Sequence, residues 1–426
     1  MKLAPSLPCA HQSAADVSGI LDFLRQARWL NRERGRAYAL MIAISLGIAI
    51  SYSWAYVALG YYPGKAATQA GKPGISDFLT FWCAGKLTLE GHPASAWDMA
   101  AIGPEEHQTT ELEAGTTLPF YYPPPTLLLC APLAALGYLG AFAAFVALTG
   151  APFMVALRRI LPRDWGWLPV LAYPGLFMDA VLGQNGFASA LCFSVPVLFL
   201  ERFPLLSGAA LGCLIFKPHL ALCVPIALLA ARRWRAFFAA GASALTWLLA
   251  AWIAFGAAPY RAFFHTLPFT RYVLENHEEL WSKFQSVFTA SRLAGMPIDA
   301  AYVAQVGVLV GACAMVAVVC WRRPGSAAEA ATLAAAALLC TPYVFDYDLT
   351  VTAVPLAWLA SEAAKTGWRP WEKSIAATVF AWPVMARLAT FHFHLPLGPL
   401  PLLGLFLVVW SRSAGQQAVT RMPRDT

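Results

Sequence analysis

The sequence predicts an all-α polytopic membrane protein. Of its 426 residues, 59% are hydrophobic and only 12% are charged, and the mean hydropathy is +0.57. A soluble domain carries about 25% charged residues. The positive charges fall in short bursts between long apolar runs, which is the pattern that orients membrane helices. The net charge of +7 therefore does not indicate a nucleic-acid partner.

The nine cysteines are scattered, and most of them lie within apolar runs. No Cys-x-x-Cys or Cys/His spacing predicts a metal site. We therefore expect buried thiols that act as small hydrophobic side chains. No signal peptide is evident, because the first apolar run begins near Tyr38 and no cleavage pattern accompanies it.

Three regions follow from this pattern. Residues 1–37 form a polar arm with one amphipathic stretch, which is typical of a helix on the inner leaflet. Residues 38–411 form a single transmembrane domain, and residues 412–426 form a tail. Arginines immediately before the first span, at about 38–60, place the start of that span in the cytoplasm.

The longest loop, 61–137, follows the first span. A helix is predicted from Asp77 to Glu90, with Ser76 as its N-cap and Gly91 as its end. The run 126–136 is too short to cross a membrane, since a span needs roughly 20 residues. It is predicted to be a juxtamembrane helix.

About twelve spans are expected in all, within a range of about 10–13. Several are shorter than a full crossing, and we expect these to be tilted, broken at proline or partly outside the membrane core. After the first span, they are predicted at 138–157, 165–183, 187–202, 204–216, 219–231, 236–256, 300–321, 326–342, 349–361, 373–391 and 395–411.

The basic bursts fall on one face of this arrangement, which is therefore predicted to be cytoplasmic, together with both termini. The opposite face receives the 61–137 loop and a second loop at 257–299. It also receives three polar segments, at 184–185, 217–219 and 343–348. The polar residues of interest thus meet on the outer side.

Asp77 is the first candidate for chemistry. One interpretation is an acid at a helix start, favoured by the helix dipole. The other is a general base at the outer membrane boundary, in a loop whose aromatic residues, Trp82 among them, are able to stack on a sugar. Glu90 and Asp98 are weaker candidates, because Asp98 fits a simple turn.

Lys217 is the second candidate, because it lies between two apolar runs whose other ends are cytoplasmic. It is either an interface lysine that reaches outer headgroups or a cation for a lipid phosphate, with His219 beside it. Pro218 interrupts the helix and frees backbone groups there.

Two further polar pairs lie at the same face. Gln184 and Asn185 sit in the turn LGQNGF, which turn chemistry alone is able to explain. Asp346 and Asp348 have three interpretations: their carboxylates bind a cation, they orient a substrate hydroxyl, or they cap the next helix.

The order of these motifs resembles glycosyltransferase family 87, membrane enzymes of the GT-C fold that use polyprenol-phosphate sugars. The resemblance rests on AGKLTLEGHPASAWD in the first loop, YYPPPTLLLCAPLAALGY with its Tyr122, LGQNGF, LGCLIFKPH and CTPYVFDYD, and runs from about Ser76 to Pro355. Tyr347–Asp348 departs from the family, which often has paired histidines there.

The resemblance implies a GT-C-like bundle with an outer catalytic cavity. The donor is then a polyprenyl phosphate carrying mannose or another hexose, and the acceptor is a lipid or glycan hydroxyl. Asp77 matches the catalytic base of an inverting transfer, and Lys217 with His219 matches the donor-phosphate site. No cofactor is required, and a divalent cation is compatible with the sequence but not indicated by it.

A rival hypothesis is a lipid or solute transporter or flippase without transferase activity. Transporters place charges and broken helices near the middle of the membrane. Here the polar groups cluster at one outer edge, which favours an enzyme. A scaffold protein without catalytic activity is a third hypothesis, and the sequence gives no oligomeric state.

Overall fold

A computed structural model of the chain describes residues 19–59, 72, 74–110, 112–113, 115–323, 325–393 and 395–420. The described residues form helices and turns and contain no strand, apart from an isolated bridge between Phe284 and Phe345. This confirms the predicted all-α class. Residues 1–18 of the arm, the opening of the first loop at 61–71 and the last six residues of the tail lie outside the described residues.

Among the described residues, five helices are long and apolar enough to cross a membrane, judged by length and composition. Large apolar side chains project from them, as at Ile253, which is 83% exposed. Such surfaces are stable only against lipid or a partner, so the protein is a polytopic membrane protein. The five are α2 (Arg32–Leu59), α6 (Tyr138–Ile160), α12 (Trp234–Phe255), α15 (Ile298–Arg322) and α18 (Glu372–Phe393).

Several of the shorter predicted spans are broken, as expected from their prolines. The run predicted at 165–183 forms two short helices that Pro174 separates. The runs around Lys217 each include a 3-10 turn, at Cys213–Phe216 and Pro218–Ala221. The α-helices of these runs are α7 (Leu168–Leu171), α8 (Gly175–Leu182), α9 (Gly186–Phe199), α10 (Pro204–Gly212) and α11 (Val224–Ala230).

The remaining helices complete the chain. A short amphipathic helix, α1, covers 19–26 in the arm. The first loop contains α3 (Phe78–Leu89), α4 (Met99–Thr109) and α5 (Leu127–Ala134). The later ones are α13 (Ala258–Asn276), α14 (Val287–Leu293), α16 (Ser326–Ala337), α17 (Ala353–Thr366) and α19 (Pro399–Thr420).

The segment 257–299, predicted as a loop, is largely helical. Helix α13 occupies most of its first half, and α14 follows. Arg261, His265 and Arg271 interrupt the apolar run that would indicate a span. They do not interrupt an amphipathic helix, because such a helix needs apolar residues only along one stripe.

The first loop packs around an aromatic cluster. Phe78 and Phe81 of α3 are buried against Phe142 and Phe145 of α6, with ring centroids 5.3–5.7 Å apart in three of these pairs. Helix α3 matches its predicted range and ends before Gly91, whose φ is +88°. Most of its residues are buried against neighbouring elements.

The predicted N-cap of α3 is wrong. Asp77, not Ser76, occupies that position, and its side chain makes no capping hydrogen bond. The Ser76 hydroxyl instead hydrogen-bonds the Tyr138 hydroxyl at 2.8 Å, which ties the start of α3 to α6.

Small residues allow close packing elsewhere in the bundle. A Cβ on Gly208 of α10 would lie 2.2 Å from the Ala236 carbonyl oxygen of α12, and one on Gly212 would lie 2.3 Å from the Ala240 carbonyl oxygen. Helices in membranes use such residues to bring backbones together. By contrast, a Cβ on Gly241, also on α12, would meet nothing within 4 Å.

We expect Gly208→Ala to lower thermal stability in detergent, because the new methyl group must push the α10 and α12 backbones apart at a cost of about 1–3 kcal/mol. Gly241→Ala is the matched control and is expected to be neutral or slightly stabilising, because alanine favours a helix by about 0.5–1 kcal/mol over glycine. Equal unfolding temperatures for the two variants would contradict the close contact.

The first loop also contains a buried acid, Glu106 of α4. Its Oε2 accepts a hydrogen bond from the Leu118 N–H at 2.8 Å, and its Oε1 has no partner among the described residues. Burial raises the pKa of Glu106 from 4.5 to about 7, although the Leu118 N–H opposes this shift. The folded state therefore binds a proton that the unfolded state releases at lower pH.

Protonated Glu106 is expected to contribute its full share of the free energy of unfolding below about pH 4.5. This contribution is lost as the pH rises to about 7. The loss is on the order of 3 kcal/mol, since one pKa unit corresponds to about 1.4 kcal/mol. Unfolding temperatures measured across this range should depend less on pH in Glu106→Gln. The exposed Glu113 provides the control, and the same flattening in Glu113→Gln would argue against the assignment.

Candidate functional site

Five segments that are distant in the sequence meet in one polar cluster. They are the start of α3 with Asp77, the segment before α5 with Tyr122, the turn 183–186, Lys217 between its two 3-10 turns, and the 3-10 turn Asp346–Thr352. Proline and glycine interrupt the helices here, so backbone and side chains are free to face one another.

Asp77 is held by an amide bridge. The Tyr122 hydroxyl donates to Gln184 Oε1 at 3.0 Å, and Gln184 Nε2 donates to Asp77 Oδ2 at 3.2 Å. Asp77 Oδ1 accepts no hydrogen bond from the part of the chain that the structure describes. Asp77 is partly exposed, whereas Tyr122 and Gln184 are buried. The carboxylate is thus oriented through one oxygen and accessible through the other.

The turn 183–186 requires its two glycines. Gly183 has φ +65° and ends α8 in the left-handed conformation. A Cβ on Gly186 would lie 2.4 Å from both Asp179 Oδ2 and the Tyr347 carbonyl oxygen. Asp179 in turn accepts from the Gly186 N–H at 2.9 Å and from the Thr350 hydroxyl at 2.5 Å. These contacts lock the turn against the 346–352 segment.

Lys217 forms a buried ion pair that the sequence did not predict. Its Nζ lies 2.5 Å from Asp348 Oδ1, donates to Asn185 Oδ1 at 3.1 Å and lies 4.5 Å from the centre of the Tyr347 ring. Lys217 is 3% exposed and Asp348 is 0% exposed. Asp348 Oδ2 also accepts from the Phe345 N–H at 3.0 Å. Lys217 therefore joins three segments of the cluster.

Asp346 is paired as well. The Arg387 guanidinium of α18 donates to Asp346 Oδ2 through Nε at 2.8 Å, and its Nη2 lies 2.7 Å from the same oxygen. Asp346 Oδ1 accepts from the Tyr347 N–H. Burial raises the pKa of Asp346 to about 6, against the opposing effect of Arg387, and the charge of Asp77 adds to the rise. Asp346 therefore lies within electrostatic reach of Asp77.

The partners of the two aspartates bear on the three interpretations that the sequence left open, which are cation binding, hydroxyl orientation and helix capping. Asp348 caps the start of the turn through Phe345 and pairs with a cation that is a lysine, and Asp346 pairs with an arginine. Both carboxylates are already neutralised by side chains of the protein.

Two other predicted residues lie at the margin of the cluster. His219 Nε2 is buried and has no hydrogen-bond partner among the described residues, and the His219 ring lies 6.2 Å from the Tyr343 ring. The Trp82 indole N–H donates to the Leu136 carbonyl, and the Trp82 ring packs edge-on against Tyr138. The described hydrogen bonds do not connect either residue to Asp77.

The other acids of the first loop have structural partners. Asp98 caps α4 by accepting a hydrogen bond from the Ala100 N–H at 2.9 Å, so it begins a helix where the sequence suggested a simple turn. Glu90 lies 3.9 Å from Lys86, which pairs more closely with Glu105. Asp77 is therefore the acid of this loop that reaches the cluster.

Asp179 and Arg387 were not predicted to be residues of this cluster. Each is an ionisable residue inside a predicted span, at 165–183 and 373–391 respectively. Such residues are costly in a membrane and mark functional or packed polar sites. That signal was available, whereas their partners, Thr350 and Asp346, were not apparent from sequence spacing.

One contrast decides what the cluster is able to do. Asp179, Asp346 and Asp348 are at most 1% exposed, and each uses both carboxylate oxygens. Asp77 is partly exposed and uses one oxygen. A proton acceptor must be within hydrogen-bond reach of its substrate, so Asp77 is the carboxylate available for proton transfer.

Lys217→Met is expected to lower the stability of the fold by about 3–5 kcal/mol, because the variant leaves the Asp348 carboxylate buried without its cation. Adding Asp348→Asn should recover most of the loss, because asparagine removes the charge and keeps an acceptor for the Phe345 N–H. Thermal unfolding of the purified single and double variants measures the difference.

The matched control is Lys365→Met, since Lys365 is 64% exposed and pairs with Glu362 at the surface. Such pairs contribute about 0–1 kcal/mol. If Lys217→Met unfolds at the same temperature as Lys365→Met, the buried pair does not have the role assigned to it.

Comparison with known proteins identifies a family for this sequence. The sequence model of glycosyltransferase family 87 matches residues 120–342, just over half of the chain. The matched part contains Tyr122, Gln184, Asn185 and Lys217, and Asp77 lies upstream of it. No curated protein and no solved structure matches the chain. The chain belongs to glycosyltransferase family 87.

Proposed function

We propose that this membrane glycosyltransferase moves a hexose, such as mannose, from a polyprenyl phosphate to an acceptor hydroxyl, with Asp77 as the general base. The observation that carries the proposal is the state of the four acids in the cluster. Three are buried with both oxygens engaged, and Asp77 alone among them has an oxygen without a partner in the described residues.

The same contrast favours inversion at the anomeric carbon. A retaining mechanism through a glycosyl-enzyme intermediate needs a second carboxylate as nucleophile. Asp346 and Asp348 are held by Arg387 and Lys217, so neither has a free oxygen to attack. Direct displacement by the acceptor hydroxyl needs one base, and Asp77 supplies it. The hydroxyl proton passes to Asp77, the new glycosidic bond forms, and the sugar–phosphate bond breaks.

The leaving phosphate gains negative charge during this step, and nearby hydrogen-bond donors stabilise it. Lys217 and His219 remain the proposed donor-phosphate residues. Two hydrogen bonds of the Lys217 ammonium are used by Asp348 and Asn185, which leaves one N–H, and His219 Nε2 has no partner among the described residues. Arg387, 40% exposed, adds a second cation, beside Asp346.

A lipid-linked donor suits the position of the cluster. The segments that carry it are connections between apolar helices, and exposed apolar side chains on the long helices face lipid. A polyprenyl phosphate stays in the bilayer, so its phosphate reaches only residues near the interface. An acceptor on a lipid or glycan approaches from the same boundary.

The sugar is proposed to contact Gln184, Asn185, Tyr122, Asp346, Asp348 and Trp82. Asn185 Nδ2 is buried and has no partner among the described residues, so it is a candidate donor to a sugar hydroxyl. We propose no cofactor, because the paired carboxylates are neutralised by Lys217 and Arg387 rather than left for a divalent cation. Family membership supports an enzyme over the transporter hypothesis.

The protein is proposed to lie in the bacterial inner membrane with both termini in the cytoplasm and the Asp77 cluster facing the periplasm, because of the basic bursts at the opposite helix ends. Reporter fusions at Thr426 and at Glu113 in the first loop are expected to report opposite sides. Fusions that report the same side would refute this orientation and the location of the site.

Asp77→Asn is expected to reduce sugar transfer about 10²–10⁴-fold. Asparagine keeps the shape of the side chain and its contact with Gln184, but it cannot accept the proton. Donor binding should survive. Transfer is measured with radiolabelled polyprenyl-phosphate hexose and protein reconstituted in vesicles.

Asp98→Asn is the control, because Asp98 caps α4 and is connected to the cluster by no described hydrogen bond. Its transfer rate should remain within a few-fold of wild type. Near-wild-type transfer by Asp77→Asn would remove the proposed base from the mechanism.

A further inference from the structure

Three buried cysteines that the proposed reaction does not use converge on one point. Cys223 precedes α11, Cys313 lies in the middle of α15, and Cys340 follows the end of α16. The Sγ atom of Cys223 lies 2.7 Å from that of Cys313 and 3.1 Å from that of Cys340. All three sulfur atoms lie within 4.8 Å of one another, and the residues are 0%, 8% and 1% exposed.

This convergence differs from ordinary burial of cysteine. Cys83, Cys130 and Cys320 are also buried, and none of them makes a sulfur–sulfur contact among the described residues. The three converging thiols come from elements that are far apart in the sequence, so no local motif brings them together. Sequence spacing could not have predicted the site for the same reason.

The donor set identifies the chemical class of the ligand. Thiolates are soft ligands that select Cu⁺, Zn²⁺ or iron–sulfur clusters. Structural Zn²⁺ almost always has four ligands. Among the described residues, no histidine or carboxylate joins the three sulfur atoms. Three sulfur donors without a fourth ligand suit Cu⁺ better than Zn²⁺.

Charge limits how many of the three thiols lose a proton. The site lies among apolar side chains, including Val316 and Leu339, where an uncompensated charge is costly. Cu⁺ that displaces the proton of one thiol leaves the site neutral, the released proton passes to solvent, and each further thiolate adds one negative charge. Zn²⁺ needs two thiolates for neutrality and still lacks a fourth ligand.

We propose that Cys223, Cys313 and Cys340 form a binding site for Cu⁺. The site also has a structural consequence, because Cys223 follows Lys217 by six residues and Cys340 precedes Asp348 by eight. A bound ion ties together the two segments whose side chains form the buried ion pair. Cu⁺ is therefore expected to stabilise the folded protein by mass action.

The test is a titration of the full-length protein, purified in detergent with reduced thiols, with Cu⁺ kept reduced by ascorbate and a coloured Cu⁺ chelator as competitor. One Cu⁺ per chain and a higher unfolding temperature are expected. Cys313→Ser and Cys313→Ala should each weaken Cu⁺ binding by roughly 100-fold or more, since loss of an outer-shell partner alone costs 10–100-fold. Cys320→Ser, in the same helix α15, should bind as wild type does.

Absence of stoichiometric Cu⁺ binding by the wild-type protein would overturn the proposal, and so would equal binding by Cys313→Ser and Cys320→Ser. A disulfide between Cys223 and Cys313, found by mass spectrometry of protein purified without reductant and persisting under the titration conditions, would overturn it too. Tighter binding of Zn²⁺ than of Cu⁺ by the same three residues would refute the choice of metal. None of these readouts depends on sugar transfer.

Discussion

The buried ion pair between Lys217 and Asp348 is the interaction on which the polar cluster depends. Two charges removed from water are stable only when they are close and when their other hydrogen-bonding groups are satisfied. Asn185 and the Phe345 N–H meet part of that condition, and the Lys217 ammonium lies 4.5 Å from the centre of the Tyr347 ring. The pair therefore fixes the turn that also carries Gln184, and Gln184 holds the Asp77 carboxylate. In this way a charge pair deep in the protein orients the Asp77 carboxylate at its edge.

The fold follows largely from composition, period and proline. Apolar runs and basic bursts predict the class and most of the helices, and Gly91 ends α3 where the sequence indicates. The amphipathic helix α13 was not predicted, because its polar residues break an apolar run without breaking a helical stripe. The N-cap of α3 was also missed, because a side chain with a tertiary partner, here Ser76 with Tyr138, need not cap its own helix.

The site was only partly predictable for a different reason. The sequence identifies Asp77, Gln184, Asn185 and Lys217 as polar residues between apolar runs, and they do meet. It does not show which charges neutralise one another, because pairing depends on contacts between residues more than a hundred positions apart, such as Lys217 with Asp348. Pairing distinguishes the four acids, since it leaves Asp77 as the one with an oxygen that has no partner among the described residues.

The most direct test of the proposed reaction is a structure of the protein in a lipid disc with a polyprenyl-phosphate hexose bound. A phosphate is expected beside Lys217 and His219. The anomeric carbon should face Asp77, with room between them for an acceptor hydroxyl within about 3 Å of the carboxylate. A donor whose sugar lies on the far side of the cluster from Asp77, or a phosphate held away from Lys217, His219 and Arg387, would contradict it.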